Sequence, residues 1–401
     1  MINVGVFGYG TVGSGVVQVI SENADVIKKN VGEDLKVKAI LDLRDFPGDP
    51  FEKLIVHDVQ EIIDDDSISV ICETMGGVGP AYAFTKQALM KGKSVCTSNK
   101  ELVALHGPEL IAIAKANNCS YKFEASVGGG IPIIRPLLSA LTADKIEKVM
   151  GIVNGTTNYM LTKMSKENAD FDEVLREAQL LGYAELHPEA DVEGYDAARK
   201  LAILSSLLYG KTVKYEDIHT EGITKISARD FRYAKQLKKN IKLVAKYEGS
   251  GDEAYALVAP HMLGEANPLS TVNDVFNAIL VHGNMLDDAM FYGRGAGKLP
   301  TASAVCGDVV ECAKNIGHHL PIDWADEEVK LTGFENSKKS FFVRVGAELK
   351  DEAMKAFKDV KEINVGFYDE YAFITDEMTE REFEEKKNLV GTLINYIRIE
   401  E

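Results

Sequence analysis

The first thirteen residues constrain the fold more than any other stretch of the chain. Ile2–Phe7 (INVGVF) is a short apolar run that stops at Gly8-Tyr9-Gly10-Thr11-Val12-Gly13, after which Val12, Val16, Val17 and Ile20 recur at helical spacing. The order is strand, glycine turn, helix. In such a turn the first glycine permits the tight bend, the second lets backbone approach a pyrophosphate, and the third lets the helix pack close to its strand. The amino terminus of the helix then faces the phosphates. Gly8, Gly10 and Gly13 fit those roles, with Thr11 and Val12 on the turn, and the pattern predicts a dinucleotide site.

Further apolar runs follow at KVKAIL (36–41), SVICET (69–74), KSVCTS (93–98) and SYKFEA (120–125), separated by helix-like segments such as Tyr82–Lys91 and Pro108–Asn117. Strands alternating with helices predict an α/β domain, a parallel sheet covered on both faces, whose ligands bind at the carboxyl ends of its strands. The second strand ends at Leu41-Asp42-Leu43-Arg44-Asp45. An acid there suits the ribose diol of NAD and an arginine suits the 2′-phosphate of NADP. With both present the preference stays open, and a plain Asp42–Arg44 ion pair is the alternative.

The pattern changes after Gly128-Gly129-Gly130-Ile131-Pro132. We read residues 1–135 as the dinucleotide-binding domain, with 293–318 returning to it through Gly293-Arg294-Gly295-Ala296-Gly297 and the apolar helix Thr301–Ala313. Residues 136–292 read as an α+β substrate domain. Residues 338–401 read as a small separate α/β module, with SFFVRVGA (340–347), DEAMKAFKDV, YAFITD (371–376), a charged helix from Glu380 and INYIRI (394–399).

Acidic residues exceed basic ones, 62 against 45, giving a formal charge of −17. That field repels nucleic acid and anionic membrane, so neither is an expected partner. No apolar run reaches the ~18 residues of a membrane helix, and the amino terminus lacks a basic start, so the cytoplasm is the expectation. The five cysteines contain no C-x-x-C pair, which argues against a disulfide framework or structural zinc. Asn154-Gly155-Thr156 accepts a glycan only in a secreted chain, so it needs another explanation.

Lys100, in Ser98-Asn99-Lys100-Glu101, follows a strand and belongs at its carboxyl end, where a cation suits a carboxylate or the nicotinamide neighbourhood. Glu124 ends the next strand, before a glycine loop whose carbonyls could join it in holding a hard cation. Residues 182–200 concentrate acids beside Lys200, ahead of the apolar run Leu201–Tyr209. Burial and the positive end of the helix dipole disfavour a charged lysine there, whereas Asp196 one turn earlier favours it; opposed effects of this kind tune a proton donor. An ordinary Asp196–Lys200 helix pair is the bland reading. His187, with no visible partner, reads as structural.

Together the glycine turn, GKSVCTSNKELVALHG (92–107), EASVGGGIPIIRPL (124–137), GIVNGTTNYML (151–161), LGYAELHPEADVEGYDAARKLAIL (181–204) and GRGAGKLPTASAVCGDVV (293–310) resemble homoserine dehydrogenase of the monofunctional form. The resemblance covers residues 1–315 in order. It implies reversible hydride transfer between L-homoserine and L-aspartate 4-semialdehyde with NADP or NAD, in threonine, methionine and isoleucine synthesis. It implies that Lys200 is the general acid/base, that Asp191 and Asp196 place it, that Glu185 receives the substrate ammonium, and that Lys100 faces the carboxylate. Gly155 and Thr156 then line the substrate pocket, which accounts for the unused sequon. The cofactor falls to Gly8, Gly10, Thr11, Val12, Gly13, Arg44, Lys100 and Gly307. The resemblance further implies a monovalent cation, usually sodium, on the Glu124 carboxylate and the carbonyls of Val127, Gly129 and Ile131. It implies a homodimer or higher homo-oligomer formed through the middle domain. The carboxyl-terminal module is similar to an ACT-type domain in element order, but Gly346-Ala347-Glu348-Leu349-Lys350 replaces the expected Pro-Gly turn. The rival enzyme, an aldehyde-oxidising semialdehyde dehydrogenase, requires a nucleophilic cysteine. A dinucleotide sensor without turnover is the rival from another class, and the acids at 185–200 count against it.

Overall fold

The computed structural model describes residues 1–401, which fall into two compact units. The first comprises Met1–Ala143, Ser206–Thr212 and Gly293–Glu328. Its sheet contains β1 (Ile2–Phe7), β2 (Leu35–Leu41), β3 (Ile55–Val56), β4 (Ile68–Glu73), β5 (Ser94–Thr97) and β6 (Tyr121–Lys122), all parallel, in the order β3-β2-β1-β4-β5-β6. That is the doubly wound order, reversing direction between β1 and β4, where such sheets place their ligand crevice. β1 reads as a continuous apolar run because it is central and covered on both faces: Val4, Val6 and Phe7 are wholly buried.

Helix Thr11–Glu22 follows the glycine turn, and Asn23 separates it from Ala24–Val31. This break lengthens the link to β2. The helix Lys298–Lys314 returns to this unit, packing Ala302, Val305 and Val309 into the same core as Val4, Val16 and Ile20. Gly15 makes that packing possible, since a Cβ there would lie 2.9 Å from the Lys298 carbonyl oxygen.

The second unit comprises Asp144–Ser205, Val213–Tyr292 and Val329–Glu401. It holds β7 (Ile146–Ile152), β8 (Lys239–Glu248), β9 (Tyr255–Gly264), β10 (Phe276–Gly283), β11 (Asp287–Arg294), β12 (Lys338–Gly346), β13 (Lys361–Ile363), β14 (Glu370–Ile374) and β15 (Asn395–Glu400). They form one mixed sheet in the order β11-β10-β7-β8-β9-β15-β12-β14-β13.

Here the structure corrects the expectation of a separate carboxyl-terminal module. Residues 338–401 do form a βαββαβ arrangement, with strand order β15-β12-β14-β13 and helices Lys350–Ala356 and Glu380–Val390. Yet β15 pairs in parallel with β9, His261 opposite Arg398, so the module's sheet continues that of the middle segment. Arg398, 1% exposed, bonds Glu380 at 2.6 Å and Glu221 at 2.9 Å, joining both parts through one guanidinium. The boundaries move as well: the first unit runs to Ala143, and its returning segment extends from Gly293 to Glu328. No helix is long and apolar enough to cross a membrane.

Candidate active site

In the first unit, the glycine turn has the geometry its spacing predicts. Gly8 has φ +90°, which only glycine adopts without strain. A Cβ on Gly13 would lie 1.9 Å from the Gly8 carbonyl oxygen, so strand and helix meet there only because it is absent. A Cβ on Gly10 would meet nothing within 4 Å; the backbone borders open space. That space is a groove of about 660 Å³ lined by Gly10, Thr11, Ser14, Arg44, Phe46 and Lys298. Gly10 caps the helix with no side chain, so its first amides are available to an anion.

Asp42 and Arg44 form the ion pair weighed as an alternative: Arg44 donates through Nε at 2.9 Å and Nη2 at 3.0 Å. The guanidinium holds the Asp42 carboxyl well below the usual carboxylate range, and the Tyr9 amide, 2.9 Å away, helps. The Arg44 side chain is still 64% exposed at the rim of the groove, stacked over Phe46. Gly307, expected at the cofactor, is not among the residues lining this groove. A Cβ there would meet the Arg135 guanidinium at 3.0 Å, so this glycine makes room for Arg135 beside Asp308.

Lys100 opens the helix Lys100–Ala116, which Asn99 caps by accepting the Leu102 amide at 3.1 Å. Glu124 is buried, but its carboxylate does not turn to the glycine loop as expected. It accepts the backbone amides of Ile133 and Ile134 on one oxygen and of Arg135 on the other, at 2.6–2.8 Å. Three donors occupy it because Ile133, Ile134 and Arg135 begin a helical segment that runs on to Ala140, and the first amides of a helix have no partner within it. The carbonyls of Val127, Gly129 and Ile131, all in buried residues, accept no backbone hydrogen bond. They are the donors open to a hard cation.

In the second unit, helix Tyr195–Tyr209 carries Asp196 and Lys200, one turn apart. The Lys200 side chain is 12% exposed; its ammonium donates to Asp196 Oδ2 at 2.7 Å and to the Val153 carbonyl at 2.8 Å. Asn154, missed by sequence reasoning, completes the cluster. Its amide donates to Asp191 at 2.6 Å and Asp196 at 2.9 Å, while its oxygen caps helix Gly155–Glu167 through the Thr157 amide. The sequon asparagine is thus a helix cap that holds two acids together. Burial raises the Asp191 carboxyl, and the Asp196 charge adds to this against the Asn154 hydrogen bond.

Thr156 donates to the Tyr183 carbonyl at 2.7 Å, with its hydroxyl beside Asp191. Gly155 abuts the Val275 carbonyl, 3.0 Å from where a Cβ would be. Glu185 and His187 are exposed on the intervening loop. The structure therefore gathers Lys200, Asp196, Asp191, Asn154 and Thr156, and leaves Glu185 outside that set of contacts.

All five cysteines are buried, and burial pushes the Cys119 and Cys306 thiols up to about 12 and those of Cys72 and Cys96 well above the ordinary value. A thioester route finds no exposed thiol here.

A doubly wound sheet with this turn, and a buried lysine among carboxylates, define a dinucleotide-dependent oxidoreductase. Comparison with known proteins sharpens the class. A homoserine dehydrogenase NAD-binding domain matches residues 8–124, and a homoserine dehydrogenase domain matches residues 132–310. The homoserine dehydrogenase of Bacillus subtilis is 44% identical over 322 residues, 79% of this chain and 73% of that one. That of Neisseria gonorrhoeae is 36% identical over 370 residues, 88% and 82%. The solved homoserine dehydrogenase of Thiobacillus denitrificans superposes with a TM-score of 0.89 at 32% identity, covering 100% of this chain and 98% of that one. A hyperthermophilic archaeal homoserine dehydrogenase in complex with NADPH has a TM-score of 0.67 at 29% identity, covering 80% and 99%. The chain belongs to the homoserine dehydrogenase family, NAD(P)-dependent oxidoreductases of amino-acid biosynthesis.

Proposed function

We propose that the chain interconverts L-homoserine and L-aspartate 4-semialdehyde with Lys200 as the general acid/base. The observation that carries this reading is the geometry of its ammonium, which spends two donors on Asp196 and Val153. The third remains for a substrate oxygen. A nicotinamide cofactor, when bound, would supply the hydride acceptor for the alcohol carbon and the hydride donor in reverse. As the neutral amine, with its lone pair where that third donor pointed, Lys200 takes the hydroxyl proton as hydride departs, and as the ammonium it gives the proton back in reverse. Asp196 orients the ammonium, and Asn154 keeps Asp191 beside it. Lys100 meets the substrate carboxylate, Glu185 its ammonium, and Gly155 and Thr156 border the pocket.

Arg44 at the groove rim favours the 2′-phosphate of NADP, with NAD accepted as well. The unpaired carbonyls of Val127, Gly129 and Ile131 fit a monovalent cation such as sodium, with a structural role. The working form is a homodimer or higher homo-oligomer, consistent with the exposed Met290 and Tyr292 on strand β11. Initial rates with homoserine and each cofactor, for wild type and Lys200→Ala, test the reading. Dinucleotide binding without homoserine oxidation would overturn it.

A further inference from the structure

Glu73 ends β4 with no solvent exposure, and no cation pairs with it in the structure. Its carboxylate is the start of a closed ring of hydrogen bonds. One oxygen accepts the Met75 amide at 2.8 Å and the other accepts the Thr97 hydroxyl at 2.6 Å. The Thr97 oxygen accepts the Asn99 amide at 2.9 Å, and the Asn99 side chain donates to the Gly77 carbonyl at 2.7 Å. Residues 73–77 and 97–99 are thereby locked together at the carboxyl ends of β4 and β5. Asn99 also caps the helix that begins at Lys100. The neighbouring Thr74 hydroxyl bonds the carbonyls of Phe7 and Gly8 at 2.9 and 3.0 Å, which brings the glycine turn into the same assembly.

A buried carboxylate is costly unless its oxygens are hydrogen-bonded, and here both are, by donors that only an all-acceptor side chain satisfies. We propose that Glu73 is a positioning residue for the reaction, acting through Thr97 and Asn99 to set the placement of Lys100. The inference rests on the reading of Lys100 as a substrate contact. A glutamine at position 73 keeps the size but turns an amide NH₂ toward either the Thr97 hydroxyl or the Met75 amide, both donors in the present ring, so one link is lost.

The test is steady-state kinetics with homoserine for Glu73→Gln, Thr97→Val, their double variant, Lys100→Ala, and Glu73→Gln in the Lys100→Ala background, with melting temperature as a folding control. Glu73→Gln and Thr97→Val should each lower kcat/KM roughly tenfold, because misplacement of a binding group is expensive in rate. The double variant should be no worse than either single one, and Glu73→Gln should add nothing once Lys100 is gone. If Glu73→Gln fails to fold, Thr97→Val, which removes one hydroxyl, carries the test. Multiplying effects in the double variant, or a loss that persists in the Lys100→Ala background, would overturn the proposal. Unchanged kinetics in Glu73→Gln and Thr97→Val beside a defective Lys100→Ala would also overturn it, while the Lys100 reading survived. A fully active Lys100→Ala would instead show that the Lys100 reading itself fails.

Discussion

Asn154 and Lys200 share one carboxylate oxygen: both donate to Asp196 Oδ2, at 2.9 and 2.7 Å. The amide therefore governs where the acid points and, through it, where the ammonium points. Asn154→Ala removes both the bridge between Asp191 and Asp196 and the cap on helix Gly155–Glu167. It should cost about 1 kcal/mol of stability as a lost cap and roughly tenfold in kcat/KM as a lost orientation. Denaturant melts and steady-state rates on one preparation check this, and wild-type kinetics would show that the bridge is incidental.

Arg44 presents its guanidinium at the rim of the groove while keeping two hydrogen bonds to Asp42. Arg44→Ala removes a charge-assisted contact to a 2′-phosphate and leaves Asp42 as an uncompensated negative charge. NADPH affinity should fall roughly tenfold or more, with NADH changed far less. Fluorescence titration with both cofactors decides this; equal losses would show that Arg44 does not read the 2′-phosphate.

A stop codon after Ile322 would strip β15 from β9. It would also leave Glu221 and Lys246 without Arg398 and Glu400. Removing one partner of a buried ion pair costs about 3–5 kcal/mol, so the truncated chain should be insoluble or unfolded. Circular dichroism and gel filtration of the expressed fragment test this, and a soluble, active fragment would contradict it.

Much of the first unit was legible in sequence because its signals are local. The glycine turn needs three residues at fixed spacing, and the central strands show as short apolar runs. The end of the chain was misread for the opposite reason. Its tie to the middle segment is a parallel pairing of residues 261–263 with 398–400, and the buried Arg398 and Glu380 and the half-buried Glu221 look in sequence like ordinary polar surface. Asn154 was visible only as a sequon. Glu73 lay unremarked within the run SVICET (69–74), since nothing in the sequence announces a buried carboxyl. Glu124 was read as a cation ligand, but its carboxylate's partners are the first amides of a helical segment that spacing does not reveal.

Burial pushes the Glu73 carboxyl up from its ordinary 4.5 to about 7. Between those values the folded chain holds a proton that the unfolded chain has released, so this group's contribution to stability is present below pH 4.5 and is lost as pH rises toward 7. Glu73→Gln does not titrate. The stability of wild type relative to Glu73→Gln should therefore decline between pH 5 and 8, by roughly 3 kcal/mol at most. Urea melts of both proteins across that range provide the check, and a difference that grows with pH would contradict it.

The central claim is that Lys200 moves the proton. Removing a general acid/base typically costs about 10²–10⁴-fold in rate. The most direct measurement is kcat for homoserine oxidation by Lys200→Ala and Lys200→Arg, taken beside NADPH affinity by fluorescence on the same folded protein. The account predicts a loss of that order in both variants, since a guanidinium keeps its proton at working pH, with cofactor affinity nearly unchanged. Near-normal turnover by a folded Lys200→Ala protein would contradict it.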